Sequence, residues 1–266
     1  MGIRSNRSQL SAALSQHFRV IVALILRDIK TRAGASYFGF LVGLAIPLIH
    51  ILIVLSIYII MGRRAVIGTD VTTYLATAIL PFVIWSYAHQ KVFQAFSQNL
   101  ALTSFPIVKF DDILIARASV ELLNAAMIAS VTYIAMLIIT DDITIIDKPN
   151  VLYAILLSYI LGISTGYIFG LIGIYFTGFV LVGFIIIPIY WITCGTIFIP
   201  DALPDKLRIL LYFFPLAHIV DYLRLSFYPS YLSLFPQLGY VHMIIVSNIL
   251  LGLIVDRTLR SSSVNR

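Results

Sequence analysis

The chain has 266 residues, of which 60% are hydrophobic and 11% charged, with a formal net charge of +6. Soluble domains carry about a quarter charged residues, so this composition excludes an ordinary soluble fold. Several runs reach bilayer-spanning length with few charges, which points to an all-α polytopic membrane protein. The positive charge gathers near the ends and between apolar runs. Membrane topology therefore explains it better than nucleic-acid binding.

Residues 1–15 are polar and Ser-rich and read as a loose tail, and residues 16–32 read as a helix. Gln16, Arg19, Ala23, Arg27 and Lys30 fall on one face of it, with Phe18, Val22, Ile25 and Ile29 opposite. That pattern predicts an amphipathic helix lying in the membrane interface. Residues 1–36 thus form a cytoplasmic tail and interfacial helix, and 37–266 the membrane domain.

Six spans are expected at about 37–61, 71–90, 113–139, 151–175, 179–199 and 238–256. Pro47 and Pro188 fall inside spans, where each removes a backbone donor and kinks the helix. An even number of spans puts both termini on one side. That side collects twelve of the eighteen Lys and Arg residues, among them Arg27, Lys30, Arg32, Lys109 and Arg117. The other side has six, including Arg63 and Arg64, which run against the trend. The excess of positive charge predicts cytoplasmic termini.

The largest cytoplasmic loop is SFPIVKFDD, 104–112. Phe105, Pro106, Ile107 and Phe110 beside Lys109 suggest either a docking surface for another protein or contact with the membrane surface. In the third span Arg117 and Glu121 are four residues apart, with Asn124 one turn on. This spacing suits an ion pair holding two helices, with a gating or substrate contact as the alternative. In the fourth span Gly162, Gly166 and Gly170 share a face, a pattern for close packing within the subunit or across a dimer seam.

Residues 200–237 carry prolines at 200, 204, 215, 229 and 236 and read as two short external helices that dip toward the membrane and return. In the second, Leu216, Ile219, Val220, Leu223 and Phe227 form an apolar stripe. His218, Asp221 and Arg224 form the other face, which must meet protein or water rather than lipid.

The sequence holds no GxxxxGK[ST] phosphate loop, no HExxH and no GxSxG. His50, His89 and His218 sit on different segments and suggest no metal site, and Cys194 is the single cysteine. Many of the tyrosines and tryptophans mark membrane interfaces, and their faces also suit sugar rings.

Three strings, LILRDIKTRAGASYFGFLVGLAIPLIH (24–50), FPIVKFDDILIARASVEL (105–122) and FPLAHIVDYLRLSFYPSY (214–231), resemble the capsular polysaccharide export permeases, the KpsM-like family of type-2 ABC exporters. The resemblance implies a homodimer in a bacterial inner membrane, joined to two copies of a separate ATP-binding subunit. That subunit would bind ATP and Mg, leaving this chain without a cofactor or catalytic residue. It further implies a lipid-linked polysaccharide cargo and periplasmic and outer-membrane export partners. By position, Arg27, Asp28, Lys30 and Arg32 match the end of the family's interfacial helix, and Phe105, Pro106 and Lys109 its ATPase-coupling loop. Arg117 and Glu121 match its third span, and Pro215, His218, Asp221 and Arg224 its external, channel-closing helices, whose polar face the resemblance implies would meet water and sugar. Two departures stand out. Ile46 occupies a position where relatives commonly carry Glu, and the turn TGFVLVG lacks the charges usual in the second cytoplasmic loop.

Overall fold

Long apolar runs bounded by turn residues become helices, because inside a membrane only a helix satisfies every backbone donor within one segment. The computed structural model describes residues 2–32, 37–105, 107–140 and 145–264. They form α1 (Gly2–Arg32), α2 (Tyr37–Ile60), α3 (Val71–Gln98), α4 (Phe110–Ile139), α5 (Lys148–Tyr175), α6 (Phe179–Thr193), α7 (Asp205–Leu211), α8 (Pro215–Leu225) and α9 (Leu238–Val264). Short 3-10 turns lie at Leu100–Ser104 and Pro200–Ala202.

Among the described residues four helices, α3, α4, α5 and α9, are long and apolar enough to cross a membrane. Shorter apolar stretches run through Ala45–Ile60 and Phe179–Thr193. At 15 residues, α6 spans only about 22 Å, short of a bilayer core of about 30 Å. The segment expected to be a loose tail is continuous, in α1, with the helix expected over 16–32.

The centre of the molecule is α3, most of whose residues are buried, packed most closely against α5. The glycine stripe permits this approach. A Cβ at Gly162 would sit 2.7 Å from the Trp85 carbonyl oxygen, and one at Gly166 would sit 2.6 Å from that of His89. At Gly170 it would meet the Phe96 ring at 2.6 Å. The stripe therefore serves packing within the subunit. Beside it, His89 is fully buried: Nε2 lies 3.1 Å from the Gly183 carbonyl oxygen and Nδ1 3.1 Å from Thr165 Oγ1. Its ring stacks on Trp85, which in turn stacks on Tyr190 at 4.2 Å.

Side-chain caps fix one end of the bundle. Asp70 caps α3 by accepting from Thr72 N and Thr73 N, and it also accepts from Thr140 Oγ1 at the end of α4. Asp147 caps α5 through Asn150 N, and the Asn150 side-chain oxygen accepts from the Tyr222 hydroxyl of α8 at 2.6 Å. The starts of α3 and α5, the end of α4 and Tyr222 of α8 thus lie together.

Candidate functional site at the two ends of the bundle

The loop that follows α3 ends at Lys109, the residue before α4. The Lys109 backbone N–H donates to the Asp112 carboxylate at 2.9 Å, the return half of a capping box. Asp112 is buried and also accepts from His17 Nδ1 of α1 at 2.9 Å, while Lys109 Nζ lies 3.4 Å from His17 Nε2. One proton on Nδ1 satisfies both contacts, with Nε2 left to accept from the ammonium.

Two turns further along α4, Arg117 joins the same pair of helices. Its NH1 donates to Asp28 Oδ2 of α1 at 2.7 Å, and its Nε lies 3.3 Å from Glu121 Oε1. The second contact is poorly aligned for a hydrogen bond, so attraction between the charges dominates it. Asn124 donates to Glu121 at 3.0 Å. On α1, Arg27 donates to the Asn99 side chain just before the loop. Leu24 packs with Ala95, Ile113 and Ala116 beneath these groups. The face of α1 that docks runs through His17, Ile21, Leu24 and Asp28, between the two faces expected from the sequence. Phe18 remains exposed.

Of the loop residues singled out by sequence, Phe105 and Ile107 project outward, 57% and 53% exposed, and Lys109 is exposed. Phe110 differs from that expectation: it is half-buried, packed on Phe96 with ring centroids 6.0 Å apart. As the first residue of α4 it turns with the helix toward α3. Lys30 is exposed, while Pro106 and the Arg32 side chain lie outside the described residues.

At the other end, the polar face of α8 corrects the sequence expectation. His218, Asp221 and Arg224 are each 0% exposed. The apolar stripe packs on α3 and α5 as its spacing requires, and residues 231–237 fold over the opposite face. Asp221 accepts from the hydroxyls of Tyr231 and Ser233, each at 2.5 Å. Burial raises its pKa above the usual carboxylate value, and those two hydrogen bonds oppose the rise. His218 Nε2 lies 3.0 Å from the Tyr212 carbonyl oxygen, and Nδ1 lies 3.1 Å from the Phe235 carbonyl oxygen and 3.2 Å from Gln237 N. Burial lowers its pKa, and the two carbonyl oxygens beside the ring nitrogens oppose the fall. The Arg224 guanidinium donates to the carbonyl oxygens of Gly195 at 2.6 Å and Phe198 at 3.2 Å, and lies 4.7 Å over the Tyr74 ring. Gly195 has φ of 85°, a conformation natural to glycine, which allows the turn toward Arg224.

The sequence missed His17, Asn99, Asp112, Tyr231 and Ser233. Only Asp112 had a legible signal, standing three residues after the helix-capping position. The two clusters are well separated: Asp112 and Thr140 lie at opposite ends of α4, roughly 42 Å apart at 1.5 Å per residue.

Long apolar helices with buried ionic clusters at their ends define an all-helical chain of membrane-spanning composition. Similarity to known proteins refines that class. The polysialic acid transport protein KpsM of Escherichia coli is 30% identical over 242 residues, covering 90% of this chain and 92% of that protein. The capsule polysaccharide export inner-membrane protein BexB of Haemophilus influenzae is 22% identical over 94% of both chains. CtrC of Neisseria meningitidis serogroup A, of the same description, is 24% identical over 89% of both. No family model matches. The chain belongs to the KpsM-like family of capsule polysaccharide export inner-membrane proteins.

Proposed function

We propose that this chain is the membrane permease subunit of an ATP-driven exporter that carries a lipid-linked capsular polysaccharide across the inner membrane. The observation that carries this reading is the near-full-length match to transport and export proteins of that description. The reading has six spans, with the apolar parts of α2 and α6 completing the four long ones, and both termini in the cytoplasm. Residues 1–36 serve as the tail and interfacial element and 37–266 as the permease domain. Two copies pair along the pathway, and each engages one ATP-binding subunit that holds ATP and Mg.

Phe105 and Ile107 are the contact to that subunit. They are large, apolar and exposed, and they sit on a loop tied at both ends: Asn99 to Arg27, and Lys109 to Asp112. Force applied to the loop would therefore reach α1 and α4 together through the His17–Asp112 and Asp28–Arg117–Glu121 contacts. At the far end, α7 and α8 close the outer mouth of the pathway. There His218, Asp221 and Arg224 act as positioning residues that keep α8 rigid, rather than as groups touching sugar, because all three are occupied inside the subunit.

Phe105→Asp tests the coupling role. The side chain is exposed, so the variant should fold and insert. It should lose copurification with the ATP-binding subunit and lose surface polysaccharide, since a charge placed in an apolar contact centre costs on the order of several kcal/mol. Normal export with normal complex yield would refute it. The chain purified without a partner should not hydrolyse ATP, and robust hydrolysis would overturn the permease reading itself.

A further inference from the structure

Between the second half of α4 and the first turns of α5 lies an open groove of about 420 Å³. Ala129 and Met136 of α4 and Val151 and Ile155 of α5 form its walls, with Leu80 of α3 as its floor. One end is chemically different. Lys148, the first residue of α5, lines it and is exposed, and it makes no ion pair among the described residues. The neighbouring Asp147 directs its carboxylate to Asn150 instead. From Lys148 to Ile155 the groove runs about 10 Å along α5. It opens on the surface that carries exposed Ile134, Leu137, Ile138 and Leu152, a face that water would penalise and acyl chains would cover.

A cation at the mouth and an apolar trough behind it fit an amphiphile with a negative headgroup. A peptide or glycan segment would leave polar groups unpaired against these walls. We propose that the groove is a binding site for an anionic phospholipid of the bilayer, one acyl chain lying between α4 and α5 and the phosphate against Lys148, with the Tyr133 side chain, also lining the groove, beside it. The inference needs only that α4 and α5 stand in a membrane, so it survives or fails separately from the cargo and partners proposed above.

The test uses the full chain in lipid nanodiscs containing trace phosphatidylglycerol with a photoreactive acyl chain, and in parallel the equivalent phosphatidylethanolamine. After irradiation, label from phosphatidylglycerol should concentrate on peptides covering 129–136 and 151–155, above the level on the exposed face of α2. Lys148→Glu should lower phosphatidylglycerol labelling there by ~5-fold or more, the scale of one basic residue at an anionic surface, and leave phosphatidylethanolamine labelling unchanged. Ala129→Trp should remove both by filling the trough, and Leu152→Trp, at the exposed rim, does the same job should the first variant unfold. Even labelling of all apolar faces would overturn the proposal. So would phosphatidylglycerol labelling indifferent to Lys148→Glu, or label displaced by purified lipid-linked glycan, which would assign the groove to cargo.

Discussion

Arg117 has two acidic partners on two helices, Asp28 on α1 and Glu121 on its own α4, and little access to water. Removing it would leave two carboxylates facing each other in a poorly solvated place. Arg117→Met should therefore destabilise the protein by about 3–5 kcal/mol, the usual cost of stranding one side of a buried pair. Asp28→Asn should cost less, because a neutral amide can still accept from the guanidinium. The double variant should fall short of the sum of the singles by ~0.5–3 kcal/mol, as expected for groups in one network. Unfolding of the purified variants in detergent measures all three. Strict additivity would show that the contact contributes little. Arg224 is the contrasting case. Its guanidinium reaches two carbonyls and an aromatic face, and a lysine in its place has a single donor head that cannot span both oxygens.

Among the elements, α5 shows why small residues recur four apart. The Gly166 position lies so near the His89 carbonyl oxygen that a methyl group there must push backbone away. Gly166→Ala should cost about 1–3 kcal/mol, overpacking outweighing the gain in helix propensity. Gly43→Ala in α2 meets nothing within 4 Å and should be neutral or slightly stabilising. Comparing thermal unfolding of the two variants separates packing from propensity, and equal effects would remove the stripe's assigned role. The same close fit explains why α3 is buried along almost its whole length while α4 keeps an apolar outer face.

Over the whole molecule, the two clusters at opposite ends make a topological prediction. In a Cys194→Ser background, Leu232→Cys and Leu234→Cys, at positions 90% and 91% exposed, should react with an impermeant thiol reagent from the periplasmic side. Phe105→Cys should react only from the cytoplasmic side. A cysteine at 218 or 221 should be protected from both, because those positions are buried beneath residues 231–237. Labelling of 105 and 232 from one side would overturn the proposed orientation.

By itself the sequence determined the helices that carry α2 to α6 and α9, since a long apolar run has no alternative to a helix in a membrane. It also determined the two short helices before α9, the glycine stripe and the 105–122 string. Spacing along the chain sufficed for these, because each depends on neighbours within a few turns. What only the tertiary structure decided is where the polar faces point. An i, i+3 pattern separates His218, Asp221 and Arg224 from the apolar stripe of α8, but it cannot say whether water or protein meets them. The hydroxyls of Tyr231 and Ser233, the Gln237 N–H and the Gly195 and Phe198 carbonyls settled that by satisfying those groups inside the fold. In the same way α1 docks along His17, Leu24 and Asp28 because Asp112, Arg117 and Ile113 wait on α4, roughly ninety residues away in the chain. Polar groups follow available partners when buried, and partners that distant leave no local trace in the sequence.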